Sequence, residues 1–328
     1  MAVGDVARRS PAGPGVRPPS PDLEPPLRHV IEAQQFSPDL LERIFERAEG
    51  MRRHPGRFAG RLRGRIMAAL FYEPSTRTRL SFEAAMLRLG GQTIGTDNAR
   101  EFSSAAKGET LEDTIRVVAG YADVIVLRHP EEGAAARAAA VSDVPLINAG
   151  DGKGQHPTQA LLDLYTIQRE LGRLDGIRVA MVGDLANGRT VHSLAYLLSR
   201  YRGVRMWFVA PPEVAMRPEV KAHLDGLGVP WAETQDLEAV LPEVDVVYQT
   251  RIQRERFADP ASYPALEGRY VIGPTQMGRL GPRAIVMHPL PRLNEIDPAV
   301  DPDPRAAYFR QARNGVQIRM ALLDMVLS

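Results

Sequence analysis

Short, mostly apolar runs of strand length recur along this chain at 66–71, 124–127, 144–147, 177–182, 204–210, 229–232, 245–248 and 284–287. Between them the apolar residues change to helical spacing, as in Leu40, Ile44 and Ala48 or Leu161, Leu164, Ile167 and Leu171. Runs such as Val124-Ile125-Val126-Leu127 show no polar alternation, which is the pattern of strands buried on both faces in a parallel sheet. Strands that alternate with helices in this way predict βαβ units. With 328 residues the chain is long enough for two such domains, each with its own core. The fold class expected is α/β, with two doubly wound parallel-sheet domains joined by bridging helices. A closing helix (Val316, Met320, Leu323, Val326) returns to the first domain.

Composition removes several function classes. Forty-one Lys+Arg face 40 Asp+Glu, so the net charge of +1 gives no bulk attraction for nucleic acid or an anionic membrane. No cysteine is present, so thiolate chemistry and disulfides are absent. No apolar run approaches 18 residues, the minimum for a membrane span. Residues 1–27 hold seven prolines and no apolar core segment, and are expected to be a disordered tail. This tail carries Asp5, Asp22 and Glu24, unlike acid-poor organelle-targeting segments, and a cytoplasmic protein is expected.

The run at 66–71 leads into Glu73-Pro74-Ser75-Thr76-Arg77-Thr78-Arg79-Leu80-Ser81-Phe82-Glu83. Pro74-Ser75-Thr76 supplies a turn and helix-capping residues, and Leu80, Ala84 and Leu87 then recur as one apolar stripe. Strand, tight turn and helix start together gather free backbone N–H groups, hydroxyls and the Arg77 guanidinium at one place. Arg79, two residues on, points to another side. Local physics leaves two readings open: a phosphate site, or a capped helix with solvated arginines.

Pro-Ser-Thr-Arg-Thr-Arg-Leu-Ser-Phe-Glu resembles the carbamoyl phosphate signature of the transcarbamoylases. The resemblance extends from about residue 30 to the C-terminus and is closest to the aspartate branch. His156-Pro157-Thr158-Gln159, Gly188-Arg189-Thr190-Val191-His192-Ser193 and His288-Pro289-Leu290-Pro291-Arg292 each match its motifs. Pro289 stands where the ornithine branch typically has cysteine. The resemblance implies that carbamoyl phosphate is held by Ser75, Thr76, Arg77, Thr78, Arg128, His156 and Gln159, with Leu290 and Pro291. It also implies that Ser103 and Lys107 reach into the neighbouring subunit's site, on a loop whose local reading is merely solvated. A second lysine, common in the family just before Lys107, is Ala106 here. Aspartate is implied to meet Arg189, Arg251, Gln253 and Lys107. The residues given catalytic roles are Arg77, Thr78, Arg128, His156 and Lys107; His129 is read as structural.

The implied reaction moves the carbamoyl group of carbamoyl phosphate to the amine of L-aspartate, an early step of de novo pyrimidine synthesis. No cofactor and no metal are implied. The implied assembly is a homotrimer with shared sites, which larger complexes extend with a regulatory chain or a dihydroorotase. The implied organisation is a carbamoyl phosphate domain over 28–157 completed by 306–328, and an aspartate domain over 158–305. Three alternatives stand beside it: another amino-acid acceptor, a non-catalytic scaffold, and a nucleotide site. The last is suggested by Gly183-x4-Gly188-Arg189-Thr190, which lacks the lysine that a nucleotide loop places before its threonine.

Overall fold

The computed structural model describes residues 27–96, 107–252 and 268–328. Two sheets organise them. The first contains β1 (Ile66–Phe71), β2 (Gln92–Thr96), β3 (Val124–His129) and β4 (Leu146–Asp151), in the order β2-β1-β3-β4. The second contains β5 (Arg178–Val182), β6 (Arg205–Val209), β7 (Trp231–Thr234), β8 (Val246–Gln249) and β9 (Ile285–Met287), in the order β7-β6-β5-β8-β9. Every ladder is parallel. The connecting helices are α1 (Pro38–Arg53), α2 (Thr76–Arg88), α3 (Leu111–Ala119), α4 (Ala134–Val141), α5 (Pro157–Leu171), α6 (Arg189–Leu198), α7 (Pro218–Gly226), α8 (Leu237–Val240), α9 (Pro274–Arg279) and α10 (Tyr308–Val326).

The continuous apolar runs have the cause expected of them. In β1, Met67, Ala69 and Phe71 face one hydrophobic cluster while Ala68 and Leu70 face another, so both sides of the strand are covered. The first of these clusters passes from Val126 and Ile147 through Leu161 and Leu164 to Val179, Met181 and Met206, so the two sheets share one core. Helix α5 lies in that core and is buried all round from Pro157 to Ile167. It packs against β4, α6 and α10, and so bridges the two halves. Helix α10 then returns against α1 and α2. Arg47 and Arg61 of the first half both pair with buried Asp324 there.

Sequence and structure agree closely at α1. Pro38 occupies the first turn, and the Ser37 hydroxyl accepts from the Leu40 N–H at 3.2 Å. They disagree at α2. Leu80 and Leu87 are 56% and 59% exposed, and the helix buries Thr78, Phe82, Ala85 and Met86 instead. A 3.6-residue period marks an apolar face without saying which body covers it, and here β1 and α10 take the other face. The strand expected at 229–232 also starts later, at Trp231, because the Val229 N–H closes a turn onto the Leu224 carbonyl.

The strand orders reverse between β1 and β3 in one sheet and between β5 and β8 in the other. In open parallel sheets the crevice outside the carboxyl ends of the strands at such a reversal is where ligands bind, since the flanking connections leave to opposite faces there. The two reversals of this chain open onto one another.

Candidate active site

A cleft of about 680 Å³ lies between the two reversals. Residues 73–78 and Ser81 after β1, with Arg128 at the end of β3, line its first side. Gly188, Arg189 and Thr190 after β5, with Thr250 and Arg251 after β8, line the other. His156, Gln159 and Leu162 from α5, the turn 288–291 after β9, and Gln311, Ala312 and Arg319 from α10 close the floor. Five arginines thus converge, and Glu73 is the only acid among the described lining residues.

The start of α2 forms the first wall. Ser75 is its N-cap, yet the Ser75 hydroxyl makes no capping bond, unlike Ser37 of α1. The first N–H groups of the helix and this hydroxyl therefore remain for a ligand. Thr78 is buried at the cleft. Arg77 pairs with no described carboxylate, and its partial burial lowers its pKa. Arg79 leaves the cleft and pairs with Glu83 at 2.7 Å, as its offset along the helix requires.

Arg128 and Arg189 come from different sheets and meet over Glu73. The Glu73 Oε2 atom accepts from Arg128 Nη2 at 3.1 Å and from Arg189 Nη2 at 3.3 Å. Backbone carbonyls also hold them: Arg128 Nη1 donates to Ala149 at 3.2 Å, and Arg189 Nη1 to Gly152 at 2.7 Å. Gly150 makes this approach possible. A Cβ at that position would lie 2.9 Å from Arg189 Cζ and 3.0 Å from Arg128 Nη1, and its φ of +113° is one that side chains rarely adopt.

His156 precedes Pro157 at the start of α5, and its backbone N–H donates to the Ser193 hydroxyl of α6 at 3.0 Å. Complete burial, followed by the charges of Arg189, Arg128 and Arg319, holds its pKa well below the ordinary histidine value. The imidazole is therefore neutral at working pH. Its Nδ1 atom is buried and meets no hydrogen-bond partner. Gln159 lies one turn inward from His156 on the same helix and faces the same space.

Of the residues expected at the site, the cleft brings together Ser75, Thr76, Arg77, Thr78, Arg128, His156, Gln159, Arg189, Arg251, Leu290 and Pro291. Lys107 is exposed and lies outside the lining. Ser103, Ala106 and Gln253 fall outside the described residues. His129 is half-buried away from the cleft, where it accepts from the Glu131 N–H. Sequence reasoning missed Ser81, His288, Gln311 and Arg319. Arg319 looks like a surface charge on the last helix, but it is buried, lies over the Phe82 ring at 5.0 Å and donates to the Ser81 hydroxyl at 2.8 Å. Burial pulls its pKa down to about 10. His288 is held by Glu295 at 2.8 Å, and its Nδ1 accepts the Leu290 N–H at 2.8 Å. This fixes the turn in which Leu290, with φ of +56°, is the only described non-glycine residue in the left-handed region. A buried polar residue in an otherwise apolar helical stripe, such as Gln311, is the signal that could have found the missed group.

Two family models match, one described as the aspartate/ornithine carbamoyltransferase carbamoyl-P binding domain over residues 28–169, the other as its Asp/Orn binding domain over residues 175–326. The chain belongs to the aspartate/ornithine carbamoyltransferase family. Within the family its relatives lie on the aspartate side. A chloroplastic aspartate carbamoyltransferase of Oryza sativa subsp. japonica is 60% identical over 92% of this chain and 85% of the relative. The catalytic subunit of M. jannaschii aspartate transcarbamoylase superposes with a TM-score of 0.84 at 49% identity, covering 92% of this chain and 98% of that one. The Trypanosoma cruzi aspartate transcarbamoylase, solved in complex with carbamoyl phosphate and aspartate, gives 0.87 at 43% identity, covering 93% and 99%. The named relatives and solved structures group the chain with aspartate transcarbamoylase catalytic chains. The expectation of a cytoplasmic protein is corrected, because the curated plant relatives at 59–60% identity are named as chloroplastic. Among the described residues no helix is long and apolar enough to cross a membrane.

Proposed function

We infer that the protein transfers the carbamoyl group of carbamoyl phosphate to the amine of L-aspartate, yielding N-carbamoyl-L-aspartate and phosphate for pyrimidine synthesis. The observation that carries this reading is the convergence of five arginines with a single acid, among the described lining residues, in a cleft lined from both sheets. A dianionic phosphate beside a dicarboxylate calls for such a surplus of cations. An arginine fork suits each of these anions better than a lysine point charge.

In this reading residues 28–157 and 306–328 bind carbamoyl phosphate, and residues 158–305 bind aspartate. Ser75, Thr76, Arg77 and Thr78 hold the phosphate at the start of α2, supported by the helix dipole. Thr78, Arg128 and neutral His156 donate to the carbonyl oxygen, and Gln159 meets the carbamoyl nitrogen. The aspartate amine attacks the carbamoyl carbon, and the carbonyl oxygen takes up negative charge. The bond from that carbon to the phosphate oxygen then breaks, and the amine proton leaves with the phosphate. A preorganised donor on the charged oxygen is worth about 3–4 kcal/mol. Arg189 and Arg251 each hold one aspartate carboxylate, joined by Gln253. Leu290 and Pro291 bound the carbamoyl group.

The assembly proposed is a ring of three chains in which Ser103 and Lys107 enter the neighbour's site. Exposed Leu80 and Leu87 on α2, with Ile94 on β2, supply an apolar face suited to a second copy. A regulatory chain or a dihydroorotase would add to that ring. The test is direct: incubation with carbamoyl phosphate and aspartate, followed by assay of carbamoyl aspartate. A correctly folded protein that forms none would refute the function.

A further inference from the structure

Behind the cleft, on the side away from substrate, lies a carboxylate for which the reaction as described has no use. Asp163 is completely buried on α5, one turn beyond Gln159. Its Oδ1 accepts from Gln159 Nε2 at 2.8 Å and from Gln311 Nε2 at 2.6 Å. Its Oδ2 meets Tyr248 Oη of β8 at 2.6 Å. We propose that Asp163 is a positioning residue that fixes the polarity of the Gln159 amide, turning its NH2 away from the cleft and its carbonyl oxygen toward the substrate.

An amide side chain presents either a donor or an acceptor, depending on which way it is flipped, and only its hydrogen-bond partners decide. The Gln311 amide shows what Oδ1 must be. Its Oε1 accepts the His288 backbone N–H at 2.9 Å, so its NH2 faces Asp163. Oδ1 is therefore an acceptor, and the neighbouring Gln159 amide must also turn its NH2 to it. Burial pushes Asp163 up to about 7, against the three hydrogen bonds that pull it down. The orientation survives protonation nonetheless, because Oδ1 already serves two NH2 groups and a proton would sit on Oδ2, donating to Tyr248. Gln159 consequently offers the cleft a carbonyl oxygen, which can take an N–H from a carbamoyl NH2 group but can donate nothing. An ester or acid oxygen in that place would meet a repelling acceptor. The carboxylate thus selects for an amide-type NH2 at the transferred group, while tying α5, α10 and β8 together at the back of the cleft.

This inference rests on the role given to Gln159 above, and a double-mutant cycle separates the two. Gln159→Ala, Asp163→Ala and the double variant are assayed for kcat/KM with carbamoyl phosphate and aspartate, with thermal melting to verify folding. Loss of a hydrogen bond to a charged group predicts a fall of about 10- to 100-fold for Asp163→Ala. In the Gln159→Ala background the same change should cost at most a few-fold, since the amide it orients is gone. Asp163→Asn keeps a carbonyl oxygen at the Oδ1 position and should hold activity within a few-fold of wild type. Full additivity of the two alanine changes, or Asn as damaging as Ala in folded protein, would overturn the positioning role. An inert Gln159→Ala would remove the role of Gln159 and this inference with it, while leaving the overall function standing. Should Asp163→Ala not fold, nitrogen-15 labelling of glutamine side chains in the wild-type protein decides. The amide protons assigned to Gln159, by their loss in Gln159→Ala, should be protected from solvent exchange and should stay so when carbamoyl phosphate binds. Fast exchange, or a large shift on binding, would place the NH2 in the cleft and refute the proposal.

Discussion

Gly150→Ala tests whether the two sheets deliver Arg128 and Arg189 to one place for a catalytic reason. The change adds a single methyl group at the end of β4. Its Cβ would stand 2.9 Å from Arg189 Cζ, 3.0 Å from Arg189 Nη2 and 3.0 Å from Arg128 Nη1. Comfortable contact needs about 3.5–4 Å, so the guanidiniums must retreat by roughly 0.5–1 Å. They are the ends of flexible side chains, so the retreat costs the fold little. The cost to folding comes mainly from the φ of +113°, on the order of 1–3 kcal/mol for a residue with a side chain. The cost to the reaction is larger, because a misplacement near 1 Å lowers a rate by about 100-fold. The expected outcome is a modestly lowered melting temperature and kcat reduced by about 30- to 100-fold. Steady-state kinetics well below the melting temperature check it. Turnover within twofold of wild type, in protein whose melting temperature has fallen, would show that the placement of these arginines is immaterial.

Other outcomes follow from the same geometry. Arg77→Ala should leave melting unchanged, as Arg77 pairs with no described carboxylate, and should lower activity by on the order of 1,000-fold; near-normal turnover would remove it from the phosphate site. Aspartate rather than ornithine should be the acceptor, and citrulline formed from ornithine at a comparable rate would reverse that assignment. Inactive Arg77→Ala and Lys107→Ala chains, mixed equally and reassembled, should recover roughly a quarter of the sites if each site draws on two chains; no recovery in verified mixed assemblies would refute the shared site. Asp163 also predicts a pH effect. Its folded pKa, about 7, lies above its unfolded value, so the folded state binds the extra proton between about pH 4 and 7, and stability falls as pH rises through that window. Relative to Asp163→Asn, wild type should lose up to a few kcal/mol from pH 4 to 7.5, and a flat difference across that range would refute the raised pKa.

The chain alone determined the parallel α/β class, because strands buried on both faces have no polar alternation to hide, and 3.6-residue stripes mark the helices between them. Its resemblance to the transcarbamoylases also named most of the residues that line the cleft. Ser75–Thr78, Arg128, His156 and Arg189 stand at strand ends or helix starts, where a sequence pattern and a ligand-binding position coincide. Tertiary structure alone decided what depends on which surfaces meet. The face of α2 bearing Leu80 and Leu87 reads as core by its period, yet β1 and α10 cover the opposite face. Arg319 and Gln311 resemble solvated residues of a terminal helix until α10 folds back under α2 and α5. The pairing of Arg128 and Arg189 over Glu73 joins residues 55 to 116 positions apart, a separation at which local pattern carries no information. The polarity of the Gln159 amide lies furthest from the sequence, since it is set by a buried carboxylate four residues along the same helix and by two partners from other elements.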